Sequence, residues 1–228
     1  VTGTQKTRWA RIEIKRIASV GLDDTTSLLE ADLSRLAALS HPHRQRQFIA
    51  GRALARRLIC SLGDDQTVPM PIEVDAVGKP FLPRWPALHL SISHSGDWIA
   101  CAVANVPIGL DIERINPTRS TGDLIEQVCS KEEQSLFESL SPDRRDRLFT
   151  ELWTVKEAWL KRRGVSLDIG LMRDIRWKAA AATSGNCASW ITSDSLAVTV
   201  LGPPAESFED LPHELRSVTC TTRQVEEA

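Results

Sequence analysis

Two stretches of this chain follow one plan, and that plan limits the fold more than any single residue does. Ser40-His41-Pro42 opens a basic run that passes Phe48 and ends at Arg56-Arg57, with Gly63 beyond. Ser141-Pro142 opens a second run that passes Phe149 and ends at Arg162-Arg163-Gly164. Pro fits the first turn of a helix, where its missing N–H needs no partner. Gly fits the stop. The pattern predicts helices from Pro42 to about Leu62 and from Pro142 to Arg163, each followed by strand-like sequence. A chain so built folds as two similar α+β halves packed together, with any shared site at the seam. Two amphipathic helices alike by chance would give the same echo. The 228 residues suit one large domain or two intimately packed small ones.

Between and around these helices, hydrophobic spacing predicts further elements. Arg11 to Lys15 alternates as a half-buried strand. Residues 27–39 place Leu28, Leu29, Leu33, Leu36 and Leu39 at helical spacing. His89 to Ser93 reads as a strand, His94 to Asp97 as a turn, and Trp98 to Ala104 as the returning strand of a hairpin. Val106 to Ile115 is a further strand. Ser130 with Glu133 forms a capping-box pattern for another helix. DIRWKAAAA (residues 174–182) and SLAVTVLG (residues 195–202) are strand-like. A tail from Pro203 reads as loosely structured until Ser217–Thr222.

Composition removes several classes. With 28 basic and 30 acidic residues the net charge is −2, so no global attraction to nucleic acid is expected. The basic residues are instead clustered, in the Arg-rich stretch from His43 to Arg57 and in Lys161 to Arg163. Such clusters on a near-neutral chain suit a local phosphate site or an acidic partner. No apolar run approaches a bilayer-spanning length, so no membrane association is expected. The first residues, VTGTQKTRWARIEIKRI, contain no apolar secretory core, so no signal peptide is expected, and the sequence opens on Val. Five Cys stand at scattered spacings without a CxxC pair, and Cys60 and Cys101 lie in apolar runs that suggest buried thiols. Together these features predict a reducing, cytoplasmic location.

Five features carry chemistry. In Ile108 to Glu113, alternation turns Ile108, Leu110 and Ile112 toward a core and Gly109, Asp111 and Glu113 the other way. Two carboxylates about 7 Å apart on one strand face repel unless a cation sits between them; an exposed polar strand edge is the plainer reading. In the helix from Trp153 to Lys161, Trp153, Glu157, Leu160 and Lys161 share a face. Glu157 is then a carboxylate held at a site or one half of a surface ion pair with Lys161. Ser91 to Asp97 (SISHSGD) could present His94, hydroxyls and backbone N–H groups to a phosphate, or be an ordinary exposed turn. Gly78-Lys79-Pro80 is a stiff turn presenting one Lys. Arg44 and Arg52, eight residues apart, lie near one helix face and suit phosphate or plain solvent.

In order and spacing, GKP, SISHSG, IGLDIE and WTVKEAWLK, with RQRQFIAGR upstream, resemble the Sfp-type 4′-phosphopantetheinyl transferases over roughly residues 40–170. The resemblance implies an α+β fold of two pseudo-twofold-related halves, each a small antiparallel sheet with a long helix. We take these as residues 1–105 and 106–228, with coenzyme A in the cleft between them. It implies Asp111, Glu113 and Glu157 as ligands of magnesium, with manganese as a substitute, and Lys79, Ser93 and His94 as contacts to coenzyme A phosphates. Arg44 and Arg52 would hold the 3′-phosphoadenosine end, and Lys156 and Lys161 would lie near the pyrophosphate.

The implied reaction moves 4′-phosphopantetheine from coenzyme A to a serine hydroxyl of an apo acyl or peptidyl carrier protein. Glu157 and Lys161 would be catalytic, and 3′,5′-ADP would leave. Carriers are typically acidic, and Arg144, Arg145 and Arg147 could meet one or simply face solvent. Two internal halves make a monomer sufficient. A magnesium-dependent phosphodiesterase or nuclease, and a non-catalytic protein binding coenzyme A or a carrier, are the competing readings.

Overall fold

The computed structural model describes residues 8–20, 28–62, 70–116, 121–179, 186–202 and 221–227. The first half contains β1 (Ala10–Arg16), α1 (Glu30–Ala37), α2 (Pro42–Cys60), β2 (Glu73–Val74), β3 (Pro80–Phe81), β4 (His89–Ser95) and β5 (Trp98–Ala104). The second contains β6 (Gly109–Arg114), α3 (Gly122–Val128), α4 (Lys131–Ser135), α5 (Pro142–Arg163), α6 (Ile169–Asp174), β7 (Ile175–Ala179), β8 (Cys187–Ile191), β9 (Leu196–Leu201) and β10 (Thr221–Glu227).

The strands form two five-stranded antiparallel sheets, ordered β1-β5-β4-β3-β2 and β6-β9-β8-β10-β7. In each, the first strand is an edge: β1 pairs with β5 and β5 with β4, while β6 pairs with β9 and β9 with β8. The long helix follows the first strand in sequence both times. The expected α+β pair of sheets, each with its own long helix, is what the chain forms.

Alternation sets the layers. Ala50, Leu54 and Leu58 of α2 pack on Ile99, Cys101 and Val103 of β5. The opposite face of that sheet, Ala10, Ile12, Ala100, Ala102 and Ala104, meets Ile108, Leu110, Ile112, Trp190, Val198 and Val200 of the second sheet. Small residues on one side let the larger ones of the other enter at interior packing density. The far side of the second sheet, through Cys187 and Leu201, is covered by Leu152, Val155 and Trp159 of α5. The result is helix, sheet, sheet, helix.

The helix ends follow the sequence signals. Pro42 and Pro142 open α2 and α5, and Gly164 ends α5 in the left-handed conformation at φ 70°. Ser130 and Glu133 form the expected capping box at α4. Gly63, the expected stop of α2, lies outside the described residues.

Two expectations are corrected. His94 is not in a turn: Ser93 and Ser95 continue the alternation, so β4 runs to Ser95 and the reversal falls on Gly96, at φ 53°. The structured end expected at Ser217–Thr222 lies further on, in β10 at Thr221–Glu227. Residues 203–220 lie outside the described residues, but β10 inserts between β8 and β7, with Val225 buried.

Candidate active site at the seam of the two halves

The site begins with an edge. β6 is the outermost strand of the second sheet, so every other N–H of it points away from β9 and needs an acceptor. Three serines of β4, a strand of the other sheet, supply it. Ser91 Oγ accepts from Leu110 N (2.9 Å), Ser93 Oγ from Ile112 N (3.2 Å) and Ser95 Oγ from Arg114 N (3.0 Å). All three serines are buried. The β6 carboxylates are thereby fixed against the first half.

Asp111 is 2% exposed. Its Oδ1 accepts from Ser93 Oγ at 2.7 Å and from Lys161 Nζ at 2.5 Å. Glu113 Oε2 accepts from Ser95 Oγ at 2.6 Å. Lys161 Nζ, from α5, also donates to Ser93 Oγ at 3.0 Å and lies 3.7 Å from Glu157 Oε2. One ammonium therefore ties a serine of the first half to two acids of the second. Burial, then Asp111 and Glu113, raise the Glu157 carboxyl to about 7, against the pull of Lys161. Burial would lower the Lys161 ammonium, but Asp111 and Glu157 outweigh it and hold it above the ordinary lysine value. The α5 helix can approach this closely because Gly109 has no side chain: a Cβ there would stand 1.8 Å from the Ala158 carbonyl oxygen.

Beside the acids lies a basic groove. A cavity of about 260 Å³ is lined by Arg35, Arg44, Phe48, Arg52, Gly78 and His94, among others. It shares Gly78, Pro80 and Ile92 with a second cavity of about 150 Å³ that reaches Lys79 and Lys161. Arg44 Nη1 donates to Gln47 Oε1 (3.1 Å) and faces His94 Nε2 at 3.1 Å. A guanidinium can only donate, so that imidazole nitrogen accepts. Burial, then Arg44 and Lys161, push the His94 imidazole down to about 4, keeping it neutral.

Arg52 is 4% exposed and lies over the Phe48 ring. Its Nε pairs with Asp32 Oδ1 at 3.1 Å, and Asp32 also binds Arg56. Arg52 Nη1 has no partner among the described residues, so a buried donor is left at the groove. Burial lowers this guanidinium to about 10, still charged at neutral pH.

The structure brings together Ser93, Asp111, Glu113, Glu157 and Lys161, with Arg44, Arg52 and His94 along the adjoining groove. Two expected residues stand differently. Lys156 is fully buried, and its Nζ donates to Glu133 Oε2 (2.8 Å) and the Met172 carbonyl (2.7 Å). One residue along a helix is about 100° around it, which turns Lys156 into the interior of the second half. We therefore remove Lys156 from the groove. Lys79 lines the groove, but its Nζ donates to the Arg162 carbonyl at 2.7 Å, satisfying the end of α5, and burial lowers its ammonium. Sequence reasoning missed Asp32, Ser91 and Ser95. The serines had a signal, Ser-x-Ser-x-Ser at strand period, that placing a turn at His94 concealed.

Whether this wall suits a divalent cation can be judged from its donors. Asp111 Oδ2 is buried with no partner among the described residues, an unused carboxylate oxygen. Burial, then crowding with Asp111 and Glu113, raises Glu157, and a cation would relieve the crowding. Among the described residues no three acidic, His or Cys side chains form a ready cage. Magnesium uses one or two carboxylates and completes its shell with waters and substrate phosphate oxygens, so a partial wall fits it.

Both halves of the chain match known protein families. Residues 107–200 match the family model described as the 4′-phosphopantetheinyl transferase superfamily. Residues 32–104 match that described as the 4′-phosphopantetheinyl transferase N-terminal domain. The chain belongs to the Sfp-type 4′-phosphopantetheinyl transferase family. A 4′-phosphopantetheinyl transferase of Bacillus subtilis is 41% identical over 98 residues, 43% of each chain. The 4′-phosphopantetheinyl transferase Sfp of Bacillus subtilis strain 168 is 30% identical over 131 residues, 58% of each. The matches thus span about half the length of these relatives. A holo-(acyl-carrier-protein) synthase of Bacillus anthracis, solved with coenzyme A (3′,5′-ADP), is 25% identical, covering 43% of this chain and 96% of that one at a TM-score of 0.37.

Proposed function

We propose that this chain transfers 4′-phosphopantetheine from coenzyme A to a serine hydroxyl of an apo carrier protein, releasing 3′,5′-ADP, with magnesium as cofactor. The observation that carries this reading is Lys161, whose ammonium joins Ser93 of one half to Asp111 and Glu157 of the other at the end of a groove carrying Arg44, Arg52 and His94.

Phosphoryl transfer of this kind is chiefly positioning and charge neutralisation. The 3′-phosphoadenosine end lies along Arg44 and Arg52, with His94 donating from its protonated ring nitrogen. Lys79 borders the path of the diphosphate. Asp111, Glu113 and Glu157 would hold magnesium, which when bound supplies Lewis-acid neutralisation of the diphosphate. The carrier serine oxygen forms the new bond to the phosphorus bearing pantetheine, and the bond from that phosphorus to the ADP oxygen breaks. Glu157 takes the serine proton directly or through a water. Lys161 neutralises the charge left on the departing ADP phosphate.

The residue division 1–105 and 106–228, action as a monomer, and a cytoplasmic location complete the proposal. No helix among the described residues is long and apolar enough to cross a membrane. Arg144 and Arg147, exposed near the start of α5, and Arg145, which lies over the Phe137 ring, are the proposed basic rim for an acidic carrier. The test is intact mass spectrometry of several apo-carriers incubated with this chain, coenzyme A and magnesium. Gain of one phosphopantetheine on a carrier supports the reading; no gain on any of them, with coenzyme A bound, favours a non-catalytic binding protein.

A further inference from the structure

We propose that Ser95 is a positioning residue for Glu113, acting through a hydroxyl ladder by which the first half sets the carboxylates of the second. This inference rests on the transfer reading above. Ser91, Ser93 and Ser95 point alternately from β4 to one side, opposite Ala102, Ala100 and Trp98 in register, toward the second sheet. β4 shares no backbone ladder with β6. The three hydroxyl oxygens instead accept the three outward N–H groups of β6.

The rungs are not equivalent. Ser93 and Ser95 accept from β6 and also give their hydroxyl protons to carboxylates, Ser93 to Asp111 and Ser95 to Glu113. A hydroxyl has one proton to donate, so in these two rungs it is committed to the acid. The acceptance from the backbone fixes the oxygen, and the donation then fixes the carboxylate. Ser93 is shared with Lys161, so its loss would disturb several groups at once. Ser95 bonds the acid and the backbone of β6, while Lys161 bonds Ser93, so its role can be isolated. Ser91 accepts from Leu110 N in the same way and, among the described residues, bonds to no carboxylate.

This inequality gives the experiment its control. S91A and S95A each strip one β6 N–H of its acceptor, buried at Leu110 and part-buried at Arg114, so each should lower the melting temperature, S91A at least as much as S95A. Only S95A also releases an acid. The probe is Mn²⁺ titrated into the whole chain in the presence of 3′,5′-ADP and followed by electron paramagnetic resonance, alongside the metal concentration giving half-maximal carrier loading. Groups that orient metal-binding side chains typically contribute about 10–100-fold to metal affinity. S95A is therefore expected to weaken Mn²⁺ binding by about that factor while keeping its kcat near wild type at saturating metal. S95T, which restores the hydroxyl, should recover the affinity, and S91A should keep it.

Equal weakening in S91A and S95A would reduce the ladder to a structural stitch and overturn the proposal. So would unchanged Mn²⁺ affinity in S95A while the wild type loads carriers. If the wild type binds no Mn²⁺ and loads no carrier, the transfer reading itself falls, and Ser95's role with it.

Discussion

Replacing Gly109 with Ala tests whether the contact between β6 and α5 places the acids. A methyl at this position would stand 1.8 Å from the Ala158 carbonyl oxygen, 2.8 Å from Arg162 N and 2.9 Å from the Ala158 carbonyl carbon. All three are helix backbone and cannot turn aside. Merely reaching 3.0 Å requires α5 and β6 to part by about 1.2 Å. Overpacking of this kind costs about 3 kcal/mol. In a chain of this size that lowers the melting temperature by about 6–12 °C. The separation also moves Glu157 and Lys161 from Asp111, and a misplacement near 1 Å costs about 100-fold in rate. Thermal denaturation and initial rates of carrier loading, measured on the same preparation, read both effects. Gly122→Ala is the control, because a methyl there meets nothing within 4 Å. A G109A protein that melts and loads carriers as the wild type does would refute the reasoning.

Three further outcomes follow from individual groups. Glu157, raised to about 7 in the folded chain, binds more protons there than when unfolded, so its contribution to stability falls as pH rises from about 4.5 to 7. Glu157→Gln should gain on the wild type across that window, by at most about 3 kcal/mol in urea unfolding at pH 8 without metal, while losing transfer; no pH-dependent difference between the two proteins would contradict it. His94, lowered to about 4, should remain neutral in an NMR titration down to about pH 5, and a protonated signal at pH 6 in the free chain would oppose the burial argument. Lys156→Met leaves Glu133 buried without its cation and should lower stability by about 3 kcal/mol. Its KM for coenzyme A should stay unchanged in the folded fraction, and a selective rise in that KM would return Lys156 to the groove.

Much of the architecture was legible because the punctuation is local. Pro42, Pro142 and Gly164 mark helix ends through their own backbone preferences, and the Ser130–Glu133 capping box is complete within four residues. Asp111 and Glu113 were legible for a similar reason, since alternation with Ile108, Leu110 and Ile112 assigns their face directly. β8 was not anticipated, because Cys187, Ala188, Ser189 and Trp190 are buried on both faces and the polar alternation that marks a half-exposed strand is absent.

The errors in the site have a different origin. Lys156 stands about 100° around α5 from Glu157 and so turns inward, where Glu133, on a separate short helix, offers it a partner. Lys79 reads as a lone exposed cation, yet the end of α5 captures it across 83 positions of chain. Ser95 was overlooked because its value lies in an edge strand of the opposite sheet. The Ser-x-Ser-x-Ser alternation marks one face of β4, but which strand that face meets across the seam is not written locally.

The account depends most on the acids and Lys161 forming one centre that transfers phosphopantetheine. The most direct measurement is release of 3′,5′-ADP together with the mass gain of an apo-carrier, in wild type and Asp111→Asn, with magnesium or with chelator. The wild type should release one ADP for each phosphopantetheine added, only with magnesium, and D111N should be slowed at least 100-fold while still folded by circular dichroism. Stoichiometric loading by D111N at the wild-type rate would contradict the account.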